Sequence, residues 1–134
     1  MLLLISVTAS AQISLKKGMK ITQSTIVKKT VYKLNGDTSL EKGVIEITGN
    51  DIVVDFKNAT IIGSNDKKGP DQFSGLAILI KGNNVTIKNL VAKGYKVALK
   101  AKNSQGLTLE NCDFSYNYRQ HLKSTQERKV FPIG

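Results

Sequence analysis

Apolar and polar positions alternate with a period of two through most of this chain, and the alternation comes in blocks. GVIEIT, DIVVDF, NVTIKNL, KVALKA and GLTLEN each set an apolar residue at every second position, mostly with Thr, Lys, Glu, Asp or Asn between, and LAILIK keeps the same beat with Ala77 and Leu79 filling the intervening positions. That pattern predicts β-runs with one buried and one solvated face. No sustained apolar series at i, i+3, i+4, i+7 accompanies it, so the expectation is an all-β chain. The blocks also repeat. From Gly75 to Tyr118 one unit is read twice: a β-run, a turn carrying Asn or Gly, a second β-run ending in Asn, and a short apolar piece. Ile80 superposes on Ala101, Ile87 on Leu109 and Asn89 on Asn111, at offsets of 21, 22 and 22 residues. A period near 22 predicts a solenoid, in which stacked repeats bury what a single repeat cannot.

An earlier copy occupies residues 43–64. Ile47 falls on Ile80 and Val54 on Ile87, both 33 residues on. The excess is assigned to a polar Gly/Pro-bearing insertion at 64–74, read as a surface loop. The coils thus span 43–118. Residues 13–42 match the repeat poorly and are read as an N-terminal cap, with Asn35-Gly36-Asp37 as a turn. Residues 1–12, MLLLISVTASAQ, resemble a secretory leader: Leu2–Val7 is apolar and Ala9-Ser10-Ala11 is a small-x-small cleavage site. They are too short to span a membrane. Residues 119–134 are charged and aperiodic, and read as a truncated tail. The last coil would then offer an open strand edge for self-association.

Alternation assigns sides. Ile45, Ile47, Ile78, Ile80, Leu99 and Ala101 point inward as one stack, and Ile52, Val54, Val85, Ile87, Leu107 and Leu109 as another. Asn89 and Asn111 end the same strand one coil apart and are read as a structural ladder. Asp55, Lys88 and Glu110 share an outer column, either as a salt ladder or with the two carboxylates, about 9.6 Å apart across two coils, as an acid/base pair for glycoside inversion. Lys81, Lys100 and Lys102 lie on outer positions as candidate contacts to an anionic substrate. Arg119, His121 and Lys123 are the candidates for proton abstraction and carboxylate neutralisation in a polysaccharide lyase. Asp66 and Asp71 share a loop without further acidic partners, so no metal site is called. Cys112 cannot pair within the chain and is read as a small buried hydrophobe.

Charge narrows the partners. The 134 residues carry 20 Lys and Arg against 10 Asp and Glu, a formal charge of +10 with no Trp. That excess suits polyanions, and without Arg clusters or interleaved aromatics it favours acidic polysaccharide over nucleic acid.

The phrases GNNVTIKNL and GLTLENCDFS, with GVIEITGNDIVVDF before them, resemble bacterial right-handed parallel β-helix repeat proteins, the pectate-lyase-like group with carbohydrate-binding and sugar-hydrolase repeats. The resemblance covers about residues 20–123 and implies a right-handed parallel β-helix of about three coils. It implies an exported protein, periplasmic, cell-surface or extracellular, of which this chain is the N-terminal part, binding or degrading an acidic polysaccharide. It leaves room for Ca²⁺ in a longer protein. No family catalytic motif is present, so a non-catalytic binding or scaffold β-helix and a fragment without activity of its own stand beside that reading.

Overall fold

The structure, a computed structural model, describes residues 11–63 and 72–117. The leader up to Ser10, most of the 64–74 insertion with Asp66 and Asp71, and the tail with Arg119, His121 and Lys123 lie outside the described residues.

The chain is all-β, as the period-two pattern requires. Among the described residues ten strands form two parallel sheets: β1 (Gln12–Ile13), β2 (Met19–Ile21), β3 (Thr25–Val27), β4 (Val31–Lys33), β5 (Gly43–Thr48), β6 (Val53–Ile62), β7 (Leu76–Lys81), β8 (Thr86–Lys93), β9 (Val97–Ala101) and β10 (Thr108–Glu110). The larger sheet runs β1-β3-β6-β8-β10, with β4 also paired to β6, and the smaller runs β2-β5-β7-β9. From β4 onward each successive strand enters the other sheet. One pass of the chain therefore contributes a strand to each sheet and pairs with the pass before it.

The registers link equivalent positions. Ile47 pairs with Ile80 and Ile80 with Ala101 in the smaller sheet, and Val54 with Ile87 and Ile87 with Leu109 in the larger one. The segment read as a cap joins the same sheets, with Ile21 opposite Ile47, Ile26 opposite Asp55 and Val31 opposite Thr60. Side chains from both sheets meet in one cluster that includes Ile21, Val27, Ile45, Ile47, Val54, Phe56, Ile78, Ile80, Ile87 and Leu99. Each such side chain removed from water contributes roughly 1.5–3 kcal/mol. Burial thins toward β10: Val85, Ile87, Leu90 and Ala92 are fully buried, whereas Leu107, Leu109, Cys112 and Phe114 are half-buried.

Turns are built from residues that tolerate the left-handed backbone. Asn84, Asn89, Asn103 and Asn111 all have φ between 53° and 58°, a region asparagine enters at little cost. At Asn89 the strand changes direction, and Asn111 repeats the corner one pass later. In β6 the same corner takes Phe56, Lys57 and Asn58, and the β6–β8 register shifts between Asp55 and Ala59. Phe56 turns inward and is fully buried.

Tyr95 fixes the outer wrap of the chain. It is fully buried, and its hydroxyl donates to the Leu34 carbonyl at 2.7 Å, while burial pushes its pKa up. Tyr95→Phe leaves that carbonyl unpaired and is expected to cost about 1–2 kcal/mol in chemical denaturation. A change below 0.3 kcal/mol, read by the same denaturation, would show that water replaces the hydroxyl.

Candidate functional site

Alternation along β3, β6, β8 and β10 aligns an outer column of Ile26, Asp55, Lys88 and Glu110 across the larger sheet. Beside it lies an open groove of about 610 Å³, lined by Ile13, Gln23, Ser24, Ile26, Val53, Asp55 and Lys88 among others. The groove has an apolar floor, with Val53 38% exposed. Its polar wall is partly committed. Ser24 Oγ accepts the Val53 amide at 3.0 Å, and Thr25 Oγ1 donates to the Gln23 carbonyl at 2.7 Å.

Asp55 is built into the corner. Its Oδ1 accepts the Lys57 amide and the Asn89 side-chain amide, each at 2.9 Å. Asn89 Oδ1 in turn accepts from Asn111 Nδ2 at 2.7 Å. Asp55, Asn89 and Asn111 thus form a continuous hydrogen-bonded column across three passes. Burial alone would raise the Asp55 pKa, but the bonds from Asn89 and Lys57 and the charges of Lys57 and Lys88 outweigh it, so the carboxyl lies below its ordinary value of 3.8. Glu110 meets Lys88 at 3.9 Å. The column of alternating sign therefore serves as a salt and hydrogen-bond ladder. Asp55 stays ionised with both its charge and its lone pairs engaged, which suits neither a proton donor nor a free base for inversion.

The outer lysines of the smaller sheet have carboxylate neighbours. Lys81 lies 3.8 Å from Glu46, Lys100 3.0 Å from Glu41, and Lys102 3.9 Å from the other oxygen of Glu41. The Lys100 hydrogen bond, with the charges of Lys100 and Lys102, lowers the Glu41 pKa. Glu41 comes from the connection between β4 and β5, so Lys100 and Lys102 are bridged by a residue the repeat pattern does not contain, while Lys81 is met by Glu46 of β5.

Cys112 is half-buried, its Sγ 3.5 Å from the Ile87 and Glu110 carbonyls. Burial pushes its thiol pKa up, away from nucleophilic thiolate chemistry. No group of three or more His, Cys, Asp or Glu among the described residues is placed to hold a metal ion. None of their helices is long and apolar enough to cross a membrane.

Two features escaped the sequence reading. Asn50 Oδ1 accepts the Asn83 amide and Asn83 Oδ1 the Gln105 amide, while Asn84 Nδ2 donates to Asp51. This second polar ladder runs up the turns between the sheets. Its signal was the recurrence of Asn-Asp and Asn-Asn at the 33-residue offset. The groove lining from Gln23 to Ile26 was missed because that segment lacks the repeat phrase.

No family model, no curated protein and no solved structure matches the chain.

Proposed function

We propose that the chain is a right-handed parallel β-helix from an exported protein, and that it binds an acidic polysaccharide on its outer faces without cleaving it. Stacked parallel strands with equivalent residues in register support the coil reading, and the leader-like residues 1–12 support export. One observation carries the binding reading over the catalytic one. Asp55, Glu110, Glu41 and Glu46 are each held by a lysine or a ladder bond, while lysines outnumber carboxylates on the surface. Such a surface attracts a polyanion, and among the described residues it offers no free carboxylate pair for acid/base chemistry.

Retention on immobilised polygalacturonate tests this. At low salt the chain is expected to bind, and a few hundred millimolar NaCl to release it, because exposed charges are screened over about 8 Å at physiological ionic strength and less above it. No ultraviolet-absorbing unsaturated product should form. Its appearance would return the protein to the lyases, and no retention at low salt would end the binding reading. The triple variant Lys81→Ala, Lys100→Ala, Lys102→Ala is expected to weaken retention less than threefold, since Glu41 and Glu46 already offset those charges. Complete loss of retention would place the contact on that face.

A further inference from the structure

We infer that the polyanion contact is the basic corner formed by Lys28, Lys29 and Lys57, with Lys33 and Lys93 flanking it. This deepens the proposed function and rests on it. Between the pairs Ile26–Asp55 and Val31–Thr60 the two passes contain the same number of residues. Lys28 and Lys57, and likewise Lys29 and Asn58, therefore occupy equivalent positions of the same corner on adjacent passes. Along the adjoining face Lys33 pairs with Ile62 and Ile62 with Lys93. Lys28, Lys29, Lys33 and Lys57 are all exposed.

Their counter-charges are sparse. Lys28, Lys29 and Lys33 make no ion pair with any described residue. Lys57 meets only the outer oxygen of Asp55, at 3.8 Å, and Lys93 acts on Asp113 at longer range. The corner is also held rigid from behind. The Lys28 amide donates to the Ile13 carbonyl at 2.8 Å, and its own carbonyl accepts the buried Tyr32 hydroxyl. The Lys57 amide is fixed on Asp55. Charges on a preorganised backbone lose less entropy on binding than charges on a mobile loop.

Lys57 supplies a second, independent observation. It has φ 51° and the next residue, Asn58, φ 66°. Asparagine is at home there, but a long side chain is not, and glycine would fit the backbone better. A lysine kept in a conformation that favours glycine points to a use for its charge. The corner offers ammonium groups without guanidinium or exposed aromatic rings, since Tyr32 is buried. That chemistry fits the carboxylates of a linear uronan and lacks a platform for stacked bases.

Affinity for a uronate oligomer at low salt is the readout, with wild type, the corner variant Lys28→Gln/Lys29→Gln/Lys57→Gly, and the smaller-sheet variant Lys81→Ala/Lys100→Ala/Lys102→Ala compared. The corner variant is expected to bind about tenfold more weakly and with a shallower salt dependence, each exposed charge contributing a fraction of that. Lys57→Gly alone should weaken binding while leaving the thermal midpoint unchanged or higher, which separates a charge effect from misfolding. If wild type binds but the corner variant binds equally well, the corner is wrong and the proposed function stands. If wild type binds no uronan, both fall. Preference of wild type for single-stranded DNA over a uronan of equal charge would overturn the partner assigned here.

Discussion

Replacing Gly82 with alanine is expected to remove about 3–5 kcal/mol of stability, enough to lower the thermal midpoint by on the order of 15 °C. A Cβ at Gly82 would lie 1.9 Å from the Gly49 carbonyl oxygen, 2.8 Å from its carbon and 3.0 Å from its nitrogen. All three are backbone atoms of the neighbouring pass, so no side chain can swing away. Neither strand can retreat without loss, because the Gly49 amide donates to the Lys81 carbonyl at 3.2 Å and the Gly82 amide to Ser104 Oγ at 3.1 Å. The next residue carries a rung of the turn ladder, Asn83 to Asn50. Overpacking of this kind costs about 1–3 kcal/mol. The backbone at φ 152° adds a comparable amount, since that region belongs to glycine. Gly18→Ala is the control. Its φ is 86°, but nothing lies within 4 Å of the added methyl, so only the backbone term of about 1–2 kcal/mol remains. Urea denaturation of the two variants should separate them clearly. Equal midpoints would mean that the passes are not in contact at this turn.

Period-two alternation made the strands and the parallel registers legible because burial of one face dictates both. The turns were less so, and the offsets show why. Ile80 to Ala101 is 21 residues and Ile87 to Leu109 is 22, and the structure places the extra residue in the turn holding Asn103, Ser104 and Gln105. The 33-residue offset before it is not explained by the surface insertion alone. Ile87 follows Val54 by 33, yet Leu90 pairs with Ala59, so two residues belong to the Phe56–Asn58 corner. DFKNAT reads as unbroken strand in sequence, and nothing in it announces that Lys57 and Asn58 turn left-handed. The column of Asp55, Lys88 and Glu110 was also legible as alternating charge. That Asp55 would head the asparagine ladder was not, because the bond to Asn89 depends on the corner geometry and not on strand alternation. Residues 13–42 lack the repeat phrase because their strands are only two or three residues long. They nonetheless pair in the same registers, and they supply Lys28 and Lys29. Lys100 and Lys102 looked free in sequence because Glu41 reaches them from a connection with no periodic signal.

Asn89→Asp is expected to destabilise the chain by about 2–4 kcal/mol at pH 7 and by much less near pH 4.5. The backbone is not the cause, since aspartate accepts φ near 58° almost as readily as asparagine. Nor is the upper rung, because either carboxylate oxygen can still accept from Asn111. The loss falls on the lower rung, where Asn89 Nδ2 donates to Asp55 Oδ1. In the variant two carboxylates face each other, with Asp55 only 22% exposed. A hydrogen bond to a charged group contributes about 1.5–3 kcal/mol, and like-charge repulsion adds to its loss. In the native chain the Asp55 pKa is lowered. Its contribution is therefore complete above its unfolded value near 3.8 and is lost as pH falls through the folded value. In the variant the sign reverses. Two carboxylates sharing a site hold one proton more tightly folded than unfolded, so the raised group stabilises below the ordinary carboxylate range and the penalty grows as pH rises through the folded pKa. Native and variant denaturation midpoints should converge between about pH 6 and pH 4. A gap that stays constant across that window would show that Asn89 acts only by filling the corner, and that the Asp55 carboxylate is not the foot of the ladder.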